Sequence, residues 1–308
     1  LRSTISNRQH DDLPTLVQLR AFETVARFGS FSAAAEELHR TQPAVSLQIK
    51  ELERLVGAEV LDRSSGRPSP TEAGRLLLTG ARRAFAELDT ARSAVLALKG
   101  RTQGELKLGA SETAALYWLP GVLERLKERH PGVLVRLTMG QTDRLVSAVL
   151  KGELDASLAT LPVPRRSLEA APVFSDRAVA IAPARAPWKG RRRITLVELC
   201  KHPLVLYERT DPIRRRLDAW FRRNGVKPRV AMEIARQEAV KKFVAAGFGL
   251  SIVSSLAAAG ESRAGDLVVM ELAPVLTRTV GVIRRRHAPS PSLAAFLEIS
   301  LGADATSR

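Results

Sequence analysis

Residues 31–50 read FSAAAEELHRTQPAVSLQIK. Ala34, Ala35 and Leu38 share one face of a short helix, and Val45, Ile49 and Leu52 share one face of a second. Between them lies His39-Arg40-Thr41-Gln42. Thr41 suits an N-cap, and Pro43 sits near the first helical position, where a missing N–H costs nothing. Ala35 is small and Val45 branched at the point where two crossing helices must touch. Gln42, Ser46 and Lys50 fall opposite the apolar face of the second helix, where hydrogen-bonding groups can meet base edges and phosphates. An ordinary αα-hairpin in a helical core has the same spacing, so the spacing alone leaves both readings open.

The surrounding residues favour the first reading. Leu19-Arg20-Ala21-Phe22, Gly29-Ser30-Phe31-Ser32, Ala34-Ala35, Gln42-Pro43-Ala44-Val45-Ser46, Gln48-Ile49, Leu52-Glu53, Leu61-Asp62-Arg63 and Thr71-Glu72-Ala73-Gly74 follow one another over about sixty residues. In these residues the chain resembles the LysR-type transcriptional regulators. The resemblance implies an α+β protein: a winged helix-turn-helix over 13–70, a linker or dimerisation helix over 71–100, and an effector-binding domain over 101–308. It further implies that this last domain is two α/β subdomains like a periplasmic binding protein, I being 103–162 with 267–301 and II being 163–266.

Composition sets bounds. A chain of 308 residues, 45% hydrophobic, suggests about two domains with sizeable cores. The one cysteine, Cys200, excludes an internal disulfide framework, fits a reducing cytosol and is expected as a buried thiol rather than a redox sensor. The opening LRSTISNRQHDD reads as a disordered tail without a signal peptide, and Leu1 in place of Met suggests an altered or incomplete start. No apolar run reaches a membrane span. The net charge is +16, but residues 1–100 contribute only +2 of it. The expected DNA reader is thus the less basic part. The basic remainder is expected as solvated surface first and a hint of an anionic ligand second, and the arginine runs 191–193, 214–216 and 284–286 as exposed faces rather than a second DNA site.

Taken in order, Leu13 to Arg27 has helical apolar spacing, Gly29 can close that helix, and Ser30 or Ser32 can cap the next. The second helix of the motif ends near Gly57. Glu59 to Arg63 reads as a short strand and Ser64 to Pro68 as a turn, a β-wing whose Arg63 and Arg67 can reach phosphates or a minor groove. Thr71 caps a long helix with apolar residues at 73, 76, 77, 84, 88, 95 and 98. So long a helix has little to bury against in a small winged domain. It is expected to pair with its copy rather than pack on its own chain, doubling the reader and asking for a near-palindromic site.

After a linker at 101–104, a strand at 105–110, a helix at 111–129, a strand at 133–139, a helix at 142–151 and a strand at 154–159 form a βαβαβ run, expected as a parallel wound domain. A second set follows: strands near 178–182, 204–207 and 229–234, with helices near 211–224, 236–246 and 251–259. Strands at 268–270 and 280–284 and a helix at 291–301 close the chain, with a crossing expected near Thr160 and a return near Asp266. Gly109-Ala110-Ser111, Leu119-Pro120, Gly140, Gly152-Glu153-Leu154-Asp155 and Ala246 to Leu250 extend the family resemblance here.

Parallel α/β sheets bind ligands beyond the carboxyl ends of their strands. Ser111 and Thr113 open a helix there, where backbone N–H groups favour an anion. Gln141, Thr160, Arg209 and Thr210 follow strands, and Gln237 opens a helix. Each of these residues is equally a helix cap or surface polar residue. Converging on one cleft, they form the expected effector site, with Glu208 and Glu238 against a highly charged ligand.

The expected DNA contacts are Ser32, Thr41, Gln42, Pro43, Ser46, Gln48 and Lys50, with Arg63 and Arg67 on the backbone. Leu47 stands where many relatives carry Arg or His, His39 where many such motifs have Gly, and Glu208-Arg209-Thr210-Asp211 in place of a Ser/Gly-rich loop. Gly247-Phe248-Gly249 imitates part of a dinucleotide fingerprint but follows a helix, so no cofactor is expected. The five histidines lack metal spacing, and no nucleophile–base motif stands out, so no metal and no catalysis are expected. A solute-binding module is opposed by the N-terminal motif, and an α/β enzyme by the missing catalytic motif. The remaining class is a cytoplasmic, ligand-responsive regulator. Its partners would be double-stranded DNA, a small anionic effector, its own copies as a dimer or a tetramer of two dimers, and RNA polymerase.

Overall fold

The first helix, α1 (Leu16–Phe28), is set by a reciprocal capping box. Thr15 accepts from the Gln18 backbone N–H, and the Gln18 side chain accepts from that of Thr15. A computed structural model describes residues 13–64, 66–97, 102–163, 167–260 and 265–302, the side chains of 96 and 97 excepted. The expected tail over 1–12 lies outside the described residues. The chain divides near Val95 into two compact units, taken in turn.

In the first unit, α2 (Phe31–Glu37) is capped by Ser30, whose hydroxyl accepts from Ala33; Ser32 lies inside the helix. Helix α3 (Gln42–Val56) follows a turn in which His39 takes a left-handed φ of 52°. That conformation usually falls to Gly or Asn, so His39 supplies the turn without a glycine. Strands β1 (Leu61–Asp62) and β2 (Ser69–Pro70) pair antiparallel as a two-residue wing. Thr71 then starts α4 (Glu72–Ala97), accepting from Gly74 N–H and donating to the Glu59 carbonyl, which ties the helix start to the wing. Phe22, Val25, Ala34, Ala35, Val45, Ile49, Leu52, Val60 and Leu61 form the core. Full burial of a residue such as Phe22 contributes about 1.5–3 kcal/mol.

Helix α4 has two apolar faces. Ala81 and Phe85 enter the core with Leu77 and Leu78 against them, and the Arg20 guanidinium stacks 3.8 Å from the Phe85 ring centroid. Leu76, Leu88 and Val95 point to solvent. Leu77, expected on the pairing face, thus serves its own unit; Phe85, absent from the expected pattern, is the deeper anchor.

The second unit begins with β3 (Gly104–Ala110), α5 (Glu112–Tyr117), α6 (Leu119–Arg129), β4 (Val133–Met139), α7 (Thr142–Leu150) and β5 (Ala156–Thr160). The helix expected over 111–129 is two helices, broken at Trp118. Pro120 cannot donate a backbone N–H, and its ring would clash with the preceding turn. There follow β6 (Leu168–Pro183), β7 (Arg193–Thr195), α8 (Leu196–Leu199), β8 (Pro203–Tyr207), α9 (Pro212–Arg223), β9 (Arg229–Ile234) and α10 (Gln237–Ala245). The chain closes with β10 (Ser251–Ser254), α11 (Ser255–Ala258), β11 (Leu267–Ala273), β12 (Thr277–Arg285) and α12 (Pro291–Gly302). The expected helix over 251–259 is therefore mostly wrong: Ser251 to Ser254 pair antiparallel with β6, and only four helical residues follow.

The sheets are mixed rather than wholly parallel. Strands β4, β3 and β5 run parallel, but β12 joins β5 and β6 antiparallel. The 16-residue β6 serves both halves. Its Leu168 to Arg177 segment pairs with β12, and its Ala178 to Pro183 segment with β10 and β11. Two cores result. One gathers Leu106, Leu119, Leu126, Leu158, Val173, Val280 and Phe296, the other Ile181, Leu204, Tyr207, Trp220, Phe221, Ile252 and Met270. The chain passes between them at Asp176 to Ala178 and returns at Leu276 to Thr279, beyond the positions expected near Thr160 and Asp266. The reason is packing: Val163 and Leu168 still pack with Leu145, Val149 and Ile283 on the first side.

The arginine runs are not uniformly solvated. Arg214 is buried, donating to the Tyr207 carbonyl and pairing with Asp218 at 2.9 Å and Glu233 at 3.0 Å, and Arg285 is also buried. Cys200 is half-buried, and burial pushes its thiol pKa up.

Candidate nucleic-acid interface and ligand cleft

On α3, Val45, Ile49 and Leu52 face the core while Gln42, Pro43, Ser46 and Lys50 are exposed. Thr41 stands in N-cap geometry but makes no capping hydrogen bond with its side chain. Ser32 is exposed on α2. Gln48 is separated from this face: at about 100° per residue it stands roughly 200° around from Ser46, and it is half-buried. Leu47, which sequence reasoning left out, is 56% exposed beside Ser46.

The wing arginines differ from each other. Arg63 is ion-paired with Glu53 of α3 at 2.8 Å and lies 5.7 Å from the Phe31 ring centroid. Glu53 also accepts from Val60 N–H at 3.1 Å, so one carboxylate fixes the wing to α3. The Arg67 side chain runs across Gly29, close enough that any β-carbon there would strike its Nε.

In the second unit, the Ser111 Oγ is buried with no hydrogen-bond partner among the described residues, and Thr113, two residues on, is buried. Thr160 N–H donates to the Thr142 hydroxyl at 3.4 Å. Gln141 is exposed, its carbonyl closing the first turn of α7. Gln237 is buried at the start of α10, its Oε1 accepting from the Tyr207 hydroxyl at 2.9 Å. Arg209 and Thr210 are exposed instead. Arg209 lies 3.3 Å from Glu233, and the Thr210 carbonyl accepts from Arg215. Of the expected set, Thr113 and Gln237 are thus buried, Ser111 and Thr160 are half-buried, with the Ser111 Oγ itself shielded, and the others are exposed.

Sequence reasoning named Glu238 but missed Tyr117 and Lys241, which with it span the two subdomains. The Tyr117 hydroxyl of α5 donates to Glu238 of α10 and accepts from Lys241 Nζ at 3.3 Å. Lys241 is buried, 2.8 Å from Glu238 and donating to the Ala257 carbonyl at 3.2 Å. Burial raises the Glu238 carboxyl, but the hydrogen bonds from Lys241 and Tyr117 outweigh it, and the net pKa lies below the ordinary value. Burial, then the hydrogen bond to Glu238, push the Tyr117 hydroxyl up. Burial also raises the Glu112 carboxyl at the start of α5. At the crossing strands, Asp176 accepts from Arg278 Nε at 2.8 Å and from the Ser254 hydroxyl at 2.7 Å. Residues 102 and more apart in sequence meet in these clusters, so no local pattern could have announced them.

Residues 16–75 match the family described as bacterial regulatory helix-turn-helix protein, lysR family, and residues 99–304 the LysR substrate binding domain. The chain belongs to the LysR family. A RuBisCO operon transcriptional regulator of Allochromatium vinosum is 33% identical over 93% of this chain and 95% of its own length. The regulator CbbR of Xanthobacter flavus is 31% identical over 92% of this chain and 86% of its own. A full-length OxyR of Pseudomonas aeruginosa superposes with a TM-score of 0.76 at 25% identity, covering 94% of this chain and 98% of that one. This LysR-type protein is a DNA-binding transcriptional regulator and not an enzyme. Among the described residues no cluster of His, Cys, Asp or Glu could hold a metal, and no helix is long and apolar enough to cross a membrane.

Proposed function

We propose that this LysR-family regulator reads a near-palindromic DNA site with α3 and answers to a small anionic metabolite held between its two α/β subdomains. The observation that carries the reading half is the exposed polar row of α3, Gln42, Ser46 and Lys50, set opposite three buried apolar residues. Ser32, Thr41 and Pro43 extend that surface, and Arg67 supplies a phosphate contact from the wing. Gln48 and the paired Arg63 play lesser parts. Ser111 with its partnerless hydroxyl, Thr113 and Thr160 hold the effector, and Gln141, Arg209 and Thr210 form the outer rim; Gln237, expected with them, instead lines a pocket with Arg216 and Arg278.

In this reading the chain keeps a DNA-binding domain over 13–70, a linker and dimerisation helix over 71–100 and an effector domain over 101–308, with the subdomain exchange drawn at Asp176 to Ala178 and Leu276 to Thr279. The solvent face of α4 and the apolar edge strand β4, which exposes Leu134, Leu137 and Met139, support assembly as a dimer or dimer of dimers. A regulator on DNA works in the cytoplasm, with RNA polymerase as its further partner. The relative from Allochromatium vinosum is named for a RuBisCO operon, which makes such a promoter the first target to try.

Recovery of one enriched palindrome-like motif from genomic fragments bound at moderate salt is the expected result. A ligand shifts DNA affinity only through its difference in affinity for the two forms. Ser111→Ala with Thr113→Ala should therefore remove the metabolite response while sparing basal DNA binding. A normal response in that folded double variant would place the sensor elsewhere.

A further inference from the structure

Where α9, α10, β10 and the two crossing strands meet lies a half-open chamber of about 50 Å³. A single buried water needs roughly 10–15 Å³ of such space, so the chamber has room for a carboxylate or phosphate group. Its polar lining consists of Asp176, Arg216, Gln237, Ser254 and Arg278, on otherwise apolar walls. Ser111 and Thr113 do not line it.

Three features bear on what it holds. First, the charges do not balance. Asp176 is engaged by Arg278 at 2.7 Å and by Ser254, whereas Arg216 donates only to the Thr277 carbonyl, with no carboxylate at ion-pair distance among the described residues. Second, the Gln237 amide is 3% exposed. Its Oε1 is taken by the Tyr207 hydroxyl, and its Nε2 donor has no partner among the described residues. Buried donors in native proteins are nearly always satisfied by protein or bound groups. Third, burial and then the neighbouring Arg278 and Arg223 hold the Arg216 guanidinium below its ordinary pKa, so a negative charge beside it would be favoured. Arg216 also lines a wide open groove with Arg222 and Arg223, which carries the positive wall out to the surface.

We propose that this chamber is a second ligand site, separate from the Ser111–Thr113 cleft, that takes a small oxyanion of the carboxylate or phosphate kind between Arg216, Arg278 and the Gln237 amide. Because Asp176 and Ala178 of β6 and Thr277 and Arg278 of β12 line it, a bound anion braces the two strands by which the subdomains are joined.

The full-length protein is titrated with inorganic phosphate and, separately, with sodium acetate, at ionic strength matched with sodium chloride, and thermal unfolding is followed. A saturable rise in Tm with at least one of them is expected for the wild type. Acetate alone would identify a carboxylate site, phosphate alone a phosphate site. Arg216→Gln should weaken the response at least tenfold, and Arg216→Lys, which keeps a cation, should retain it in weaker form even if the Gln variant folds poorly. Ser111→Ala with Thr113→Ala should respond as the wild type does. No saturable response in the wild type, an undiminished one in Arg216→Gln, or its loss in the cleft double variant would each overturn the proposal. Loss of the metabolite effect on DNA in the cleft variant alone would leave the effector reading standing by itself, so the two are judged separately.

Discussion

Glu53 holds Arg63 by an ion pair and the Val60 amide by a hydrogen bond, so a residue on the DNA-reading helix consumes a charge of the wing. The pair is partly exposed and contributes at most about 1 kcal/mol to stability. Its larger effect is on charge presented to DNA. Glu53→Gln keeps an acceptor for Val60 and releases Arg63 towards the phosphates. The logarithm of DNA affinity should then fall more steeply with the logarithm of salt, by about one unit of slope. An unchanged slope in a salt titration would mean that Arg63 does not face the duplex. The residues proposed to read bases should behave differently. Gln42→Ala or Ser46→Ala should cost about 1–3 kcal/mol at the preferred site and less on random sequence. Competition binding against scrambled DNA measures this, and equal losses on both would remove these residues from base recognition.

At the scale of elements, α4 turns one apolar face to its own core and another to solvent. Leu88→Glu with Val95→Glu charges only the outer face, so the winged unit should remain folded while the dimer dissociates. Sedimentation of that variant as a dimer would locate the contact elsewhere. The same charge at Leu77 would confound the experiment, since Leu77 packs on Ala81 and Phe85 of its own core. The winged unit was legible in the sequence because its signals are local: Ser30, Thr41 with Pro43, and the left-handed ends at Gly29 and Gly57, while the equally local capping box of Thr15 and Gln18 went unread. The break at Trp118 was missed, although Pro120 carries a local signal for it. The strand Ser251 to Ser254 was not legible, because its partners are Ala178 to Ile181 and an Ala-rich stretch follows it. For the proposed ligand cleft, the place of Ser111 and Thr113 after β3 could be read from the sequence. The contact of Tyr117 with Lys241 and that of Asp176 with Arg278 arise only when the two subdomains are folded together.

Over the whole sensor unit, Tyr117, Glu238 and Lys241 tie one subdomain to the other, and the tie depends on a charged carboxylate. The folded pKa of Glu238 lies below its ordinary value of 4.5. Its contribution is therefore complete above that value and is lost as pH falls through the lowered one. After correction for intrinsic rates, hydrogen exchange in α5 and α10 should be constant from neutrality to about pH 5 and rise below it, and Glu238→Gln should abolish that dependence. An identical acid response in Glu238→Gln would assign the transition to another group. The shared strand β6 and the return of β12 have a further consequence, for the order in which the protein can be made. The core of the winged unit is complete in sequence by Phe85, and it can fold while the remainder is still on the ribosome. The core around Leu106 and Leu119 cannot close in that way, because Val280, Val282, Leu293, Phe296 and Ile299 complete it. A chain stopped after Ala273 would carry an intact DNA reader beside an unfinished sensor. Such a truncated product would occupy the operator deaf to any ligand.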